Sequence, residues 1–464
     1  MQTPPVAGWQ LIAALIVGVA VLVYLILKTR VHAFLALILA SALTGLLAGM
    51  DPVAVGKSIT NGFGNTLGSI GIVIGFGVMM GRLLEVSGAA QRMAQTFLRW
   101  FGRGREDAAM AATGYVVSIP IFCDSGFVIL SPLAKALSRR TGRSVITIGV
   151  ALAVGLVATH HAVPPTPGPL AVAGIFNVDV GQMILAGLLF AIPVTVAGVF
   201  YARWWGRRLY QIPDATGLGW QRVPAEAAAQ AAAATEAAVE AEQEQQLPGT
   251  AVSFAPIVVP VVLILLNTVL TAMKATGSWA TAIIFLGNPV IAVGIGLLIA
   301  LWSLLPGVSR KDVLRYMEEG VSSAGIIILV TGAGGALGQV LRDSGVGNYL
   351  ASSIATTGIP AVLLPFLVAT LVRLAQGSGT VAMITSASIT APILANLHVP
   401  PVLAAQAAAL GAMVFSYFND SYFWVVNRLL GVEDVKEQVM TWSVPTTIGW
   451  GVSLITLLIV SAVW

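Results

Sequence analysis

The sequence predicts an all-α polytopic membrane protein. It should hold two inverted repeats, each of about five transmembrane helices plus one re-entrant helical hairpin with a broken helix. Three observations predict this. Hydrophobic residues make up 57% and charged residues only 9% of the 464 positions, with a mean hydropathy of +0.89. A soluble domain carries about 25% charge to cover its surface. Apolar runs long enough to cross a bilayer, about 20 residues each, recur between short basic clusters. Finally, the segment 65–88 returns in altered form at 322–345. Disorder, a collagen, a disulfide scaffold and a secreted soluble enzyme are excluded. The single cysteine, Cys123, leaves no intramolecular disulfide or multi-cysteine metal site. A net charge of +4 comes from clusters that fix topology, so the implied partner is the lipid bilayer and not nucleic acid.

Spans are expected near 9–27, 32–50, 66–86, 144–162, 181–201, 251–273, 286–305, 321–341, 402–424 and 443–463. Lys28 and Arg30 follow the first span, the reverse of a signal peptide's charge order, and put the N-terminus outside. Residues 107–138 are flanked by Arg99, Arg103 and Arg105 on one side and by Arg139, Arg140 and Arg143 on the other. Both flanks are therefore cytoplasmic, and the segment is too short for two crossings. Pro120 and Cys123-Asp124-Ser125-Gly126 break it in the middle. This describes a re-entrant hairpin with a polar tip, tolerated at membrane depth only beside protein or a wet cavity. A second hairpin, 360–397, surrounds Gln376 to Thr380 and opens outward. Between the halves, 1–201 and 251–464, residues 202–250 read as a cytoplasmic low-complexity linker, rich in Ala, Glu and Gln over 214–248.

At an offset of 257, nine of 24 positions are identical between 65–88 and 322–345, among them Gly68/Gly325, Gly81/Gly338, Ser87/Ser344 and Gly88/Gly345. Glycine-rich membrane helices resemble one another, because small residues permit close packing. The order of features argues for more than that. Each copy precedes an amphipathic stretch, a hairpin, and a span with a polar interruption. The charge rule runs the two copies in opposite senses, a transporter signature with the substrate site at broken helices near the midplane.

Four irregular polar spots lie in apolar surroundings: Cys123 to Gly126; Thr159-His160-His161 with Val163 to Pro169; Arg373 with Gln376 to Thr380; and Asn419-Asp420-Ser421. Free N–H groups at a half-helix N-terminus favour a carboxylate. Hydroxyls beside glycine suit substrate hydroxyls. An ionisable group in the bilayer costs several kcal/mol, roughly, and is functional by default. Each spot also has a structural reading. Asp124 or Asp420 caps a helix, Arg373 pairs with one of them, and Cys123 packs as a small residue. Adjacent histidines point about 100° apart on a helix, so one of the two is expected to face the site.

Ile119 to Phe127 (IPIFCDSGF), His160-His161 followed by VPPTPGP, and RLAQGSGTVA from Arg373 to Ala382 resemble the gluconate permease (GntP) family of bacterial inner-membrane symporters. The resemblance covers roughly residue 60 to the C-terminus, apart from the linker. It implies proton-coupled import of gluconate or a related small hydroxy acid, with glycerate and D-serine as relatives' substrates. It also implies a homodimer with elevator-type movement of the hairpins against a scaffold, and no cofactor beyond the coupling proton. The substrate residues expected are Asp124, Ser125, Gly126, His160, His161, Thr166, Arg373, Ser378, Gly379, Thr380, Asn419, Asp420 and Ser421. Asp124, His160, His161 and Asp420 are the proton candidates. A sodium-coupled carboxylate carrier of the same architecture is the alternative. An enzyme is not expected. Gly377-Ser378-Gly379 misses the intramembrane-protease spacing, and TGAGGALG at 331–338 follows no strand.

Overall fold

The computed structural model describes residues 8–29, 31–102, 104–214, 220–222, 247–347, 349, 360–397, 399–417 and 420–463. The first half contains α1 (Gly8–Lys28), α2 (Ala33–Leu47), the long α3 (Pro52–Val86) and α4 (Ala89–Phe101). It continues with α5 (Glu106–Val117), α6 (Cys123–Thr141), α7 (Val145–Ala162), α8 (Pro167–Ile175) and α9 (Val180–Arg208). Strands β1 (Gln211–Pro213) and β2 (Trp220–Arg222) then pair antiparallel. The second half contains α10 (Thr250–Ala272), α11 (Ser278–Leu286), α12 (Pro289–Ser303) and the long α13 (Arg310–Asp343). α14 (Leu363–Gln376), α15 (Gly379–Leu394), α16 (Pro401–Gly411), α17 (Ser421–Leu429) and α18 (Val435–Gln438) follow. A π-helical turn, Val439–Ser443, leads into α19 (Val444–Val463).

Two long helices carry the similar segments 65–88 and 322–345. Shifted by 257 residues, the bounds of α3 fall within one residue of those of α13. Asp51 caps α3 by accepting from Val53 and Ala54 N–H, and Ser309 caps α13 by accepting from Asp312 N–H. Both helices end at the repeated Ser-Gly pair, with Gly88 at φ 79° and Gly345 at φ 77°. Only glycine takes this left-handed conformation without strain, which stops the helix. The two long helices pack along each other where Gly62 meets Gly335. A Cβ on Gly62 would stand 2.5 Å from the Gly335 carbonyl oxygen.

Helix α7 is buried along its entire length, and α8, α15 and α16 nearly so. Their Ala, Gly, Ser and Thr content lets backbones approach closely. A Cβ on Gly114 of α5 would lie 2.5 Å from Leu152 O of α7. α9 and α10 instead turn large apolar side chains outward, as lipid-facing helices do.

Among the described residues, four helical stretches are long and apolar enough to cross a membrane: Val145–Ile175, Val180–Arg208, Thr250–Ala272 and Val435–Val463. Counting each bent pair as one span gives up to six. Several of the remaining apolar runs form helices of 11–16 residues: Ala33–Leu47, Leu363–Gln376, Gly379–Leu394 and Pro401–Gly411. The expected span 402–424 is one of these. α16 ends at Gly411, and helix resumes only at Ser421. Phe415 there has φ 31°, a conformation that no helix continues through. In the segment expected to form the first hairpin the helix breaks at 118–122, so Cys123 to Gly126 form the first turn of α6 and not a loop. The second breaks at Gly377-Ser378, as the glycine predicts. α9 runs to Arg208, past the expected boundary at 201, and β1 is tied back by Gln211 Nε2 donating to Leu430 O at 2.6 Å. Residues 223–246 of the linker and 350–359 after α13 lie outside the described residues.

Candidate functional site

Several broken helix ends meet around one cavity of about 380 Å³. α6 reaches it with its N-terminal Phe122 to Asp124, and α7 with its C-terminal His160 and His161. α14 brings Arg373 and Gly377 at its C-terminal end; α15 brings Ser378, Gly379 and Thr380 at its start. The irregular segment after α16 adds Ser416, and α17 begins there with Asp420, Ser421 and Tyr422. Trp442 of the π-helical turn and Thr446 of α19 close the wall.

Local chemistry explains each break. Gly377 takes φ 89° and ends α14. Ser378 then caps α15, its hydroxyl accepting from Val381 N–H at 3.3 Å. Asp420 caps α17 by accepting from Tyr422 N–H, also at 3.3 Å. No N-cap side chain covers the start of α6, where Phe122 precedes the helix. The first N–H groups of a helix have no intrahelical partner and carry its positive end. α6, α15 and α17 direct three such ends to the same space.

Arg373 is the fixed cation of the site and is only 4% exposed. Its Nη2 donates to Asp420 Oδ2 at 2.5 Å. Its Nε and Nη1 are buried and make no hydrogen bond among the described residues. The pairing reading of Arg373 therefore holds for one nitrogen and leaves two donors unspent. Asp420 also accepts from Ser416 Oγ. Ser416 Oγ in turn accepts from Trp442 Nε1 at 2.9 Å, and Ser416 N–H donates to Thr446 Oγ1 at 3.1 Å. This network fixes the carboxylate, and the carboxylate fixes one arm of the guanidinium.

Asp124 Oδ1 accepts from Ser421 Oγ at 3.2 Å, joining the first hairpin to the start of α17. His161 Nδ1 lies 3.1 Å from Val157 O. A carbonyl can only accept, so this nitrogen carries the hydrogen. Nε2 then holds the lone pair of the neutral ring, and it is buried without a partner. His160 Nδ1 is likewise buried and unpartnered, and its ring lies 5.7 Å from that of Phe122. Both histidines line the cavity, against the expectation that one would turn away. The reason is that α7 ends there, and the cavity wraps around the helix end.

Asp124, His160, His161, Arg373, Ser378, Gly379, Thr380, Asp420 and Ser421 are thus brought together. Ser125, Gly126 and Thr166 do not line this cavity. Ser125 faces a separate small cleft beside Arg82 and Glu85. Gly126 is a packing position, where a Cβ would stand 2.7 Å from Leu156 Cδ2. The buried Thr166 hydroxyl donates to Val163 O at 2.6 Å and closes the end of α7. Asn419 lies outside the described residues. Sequence reasoning missed Ser416, Tyr422, Trp442, Thr446 and Phe122. Ser416 and Tyr422 flank a recognised polar spot and were within reach. Trp442 and Thr446 arrive from a distant helix and had no local signal.

A family model described as GntP family permease matches residues 9–463. The chain is 51% identical over 460 residues to an uncharacterized permease of Haemophilus influenzae, covering 98% of this chain and 92% of that one. It is 34% identical over 450 residues to a gluconate permease of Pseudomonas aeruginosa, covering 95% of each. The solved structure of Neisseria gonorrhoeae MtrF, described as illuminating a class of antimetabolite efflux pumps, superposes with a TM-score of 0.65. It covers 95% of this chain and 97% of that one at 13% identity, a likeness of fold alone.

Proposed function

The chain belongs to the GntP family of permeases, multi-pass membrane transporters and not enzymes, and from that premise we propose a proton-coupled symporter. It imports gluconate or a related small sugar acid across the bacterial inner membrane. One observation carries this reading: a buried, half-paired Arg373 faces a cavity into which three helix N-termini point. That arrangement suits a single small carboxylate. The names of 34%-identical relatives, a gluconate permease and a high-affinity gluconate transporter, support the same substrate class.

In this mechanism the substrate carboxylate accepts from Arg373 Nε and Nη1 and from the N–H groups that open α15. The hydroxyls of Ser378 and Thr380 read the polyol. Asp124 takes up the proton, with the lone pair of His161 Nε2 as the neighbouring acceptor. A proton on Asp124 removes a negative charge beside an anionic substrate, so the two load together. The repeats around α3 and α13 are inverted relative to each other, and the two broken hairpins move as one body against the remaining helices. The N-terminus lies outside, the linker lies in the cytoplasm, and the protein works as a homodimer.

The test is uptake of labelled gluconate into proteoliposomes under an imposed pH gradient, with and without sodium, and with glycerate and D-serine as competitors. Accumulation driven by the proton gradient alone is expected. A requirement for sodium would remove Asp124 and the histidines from the coupling. Transport of none of these acids would sink the substrate assignment.

A further inference from the structure

A second cavity, of about 490 Å³, lies at the other end of α7, away from His160 and His161. The starts of α5 and α7 and the last turns of α9 enclose it. Its walls carry four guanidinium groups, from Arg105, Arg143, Arg203 and Arg207. Two of them are held in place from behind. Arg143 Nη1 donates to Glu106 Oε2 at 2.8 Å and to Asp107 Oδ1 at 3.3 Å, and Arg203 Nε donates to Asp107 Oδ2. The Asp107 side chain is fully buried, so these pairs are anchored and not loose surface contacts. The guanidinium groups of Arg105 and Arg207 make no hydrogen bond or ion pair among the described residues. Four cations against two carboxylates leave the cavity with a positive excess. The hydroxyls of Tyr210 and Ser144 are spent on Gly142 O and Leu209 O. Thr147 adds a hydroxyl to the wall, and the charge for recognition comes from the guanidinium groups, whose planar forks fit phosphate oxygens.

The neighbouring surface indicates where such a phosphate comes from. Leu185, Leu189, Ile192, Val196, Phe200 and Trp204 form an exposed apolar stripe along α9. Steps of three and seven residues on a helix stay on one face, so the stripe runs directly into Arg203 and Arg207. Hydrocarbon along the stripe and a phosphate at its end is the pattern of a phospholipid. Basic pockets between membrane helices hold anionic headgroups in this way.

We propose that this cavity is a phosphate-binding site, distinct from the transport cavity, that takes the phosphodiester of an anionic phospholipid lying along α9. The inference does not depend on what the protein transports. The test compares the full-length protein with Arg105→Ala/Arg207→Ala, a pair without partners to lose. A control, Arg310→Ala/Lys311→Ala, removes the same charge at the exposed start of α13. Native mass spectrometry reads retention of phosphatidylglycerol against phosphatidylcholine, and calorimetric titration reads glycerol 3-phosphate. The cavity pair should retain phosphatidylglycerol roughly thirtyfold more weakly, as follows from a loss on the order of fivefold per arginine. The control should retain it like the wild type. Loss of glycerol 3-phosphate alone keeps the phosphate site and assigns it to a soluble ligand. Unchanged binding of both ligands by the cavity pair, or an equal loss in the control, overturns the proposal.

Discussion

Arg373→Lys separates the two roles of the buried arginine. The guanidinium spends Nη2 on Asp420, and its buried Nε and Nη1 make no hydrogen bond among the described residues. A lysine ammonium can stay with Asp420, so the buried carboxylate keeps a counter-charge and the fold keeps its stability. The donors at the Nε and Nη1 positions disappear, because the N–H groups of a single ammonium nitrogen cannot reproduce the planar fork. Each hydrogen bond to a charged group contributes about 1.5–3 kcal/mol. Losing both weakens gluconate binding by about 3 kcal/mol or more, roughly two decades in Kd. Arg373→Ala behaves differently, because it strands Asp420, whose side chain is only 14% exposed. Breaking such a pair costs about 3–5 kcal/mol of stability. Arg373→Ala/Asp420→Asn removes both charges, and should regain most of the melting temperature and none of the affinity. Isothermal titration with gluconate and thermal melts of the purified protein read the two effects apart. Wild-type affinity in Arg373→Lys would refute the reasoning, since the unpaired nitrogens would then have no ligand.

Three further outcomes follow from the same geometry. Asp124→Asn should abolish accumulation driven by a pH gradient while leaving counterflow exchange of labelled gluconate partly intact; equal loss of both would make Asp124 a structural residue. Gly379→Ala drives a Cβ into His161 Nε2, with Cε1 about 3.1 Å away, so uptake should fall at least roughly tenfold although alanine favours helix. Full activity would show that this ring has room to move. Thr166→Val removes the hydroxyl that closes the end of α7, and should lower stability by about 1–2 kcal/mol with an unchanged KM for uptake. A raised KM would return Thr166 to the substrate site.

The fold was legible where the sequence encodes it locally. Glycine and proline mark the breaks at 118–122 and 377–378, and the Ser-Gly pairs at 87–88 and 344–345 end the long helices. The polar spots were legible because ionisable residues rarely sit in apolar runs without a purpose. What escaped was register. Cys123 to Gly126 share one helical turn, so Asp124 faces the cavity while Ser125 and Gly126 point elsewhere. A spot read as a unit is divided by the 100° step between neighbours. The break after α16 begins earlier than the expected interruption at Asn419-Asp420-Ser421, since Ala412 to Tyr417 is apolar enough to pass for helix. Its backbone is held at Ser416 N–H by Thr446 and its Ser416 hydroxyl by Trp442, distant residues that no local pattern could supply.

Proton movement coupled to gluconate tests the central claim most directly. Proteoliposomes holding a trapped pH-sensitive dye are given an inward gluconate gradient, with no sodium and no initial pH difference. The lumen should acidify as gluconate enters, and Asp124→Asn should exchange gluconate without acidifying it. Gluconate uptake by the wild-type protein at constant internal pH would contradict proton coupling through this cavity.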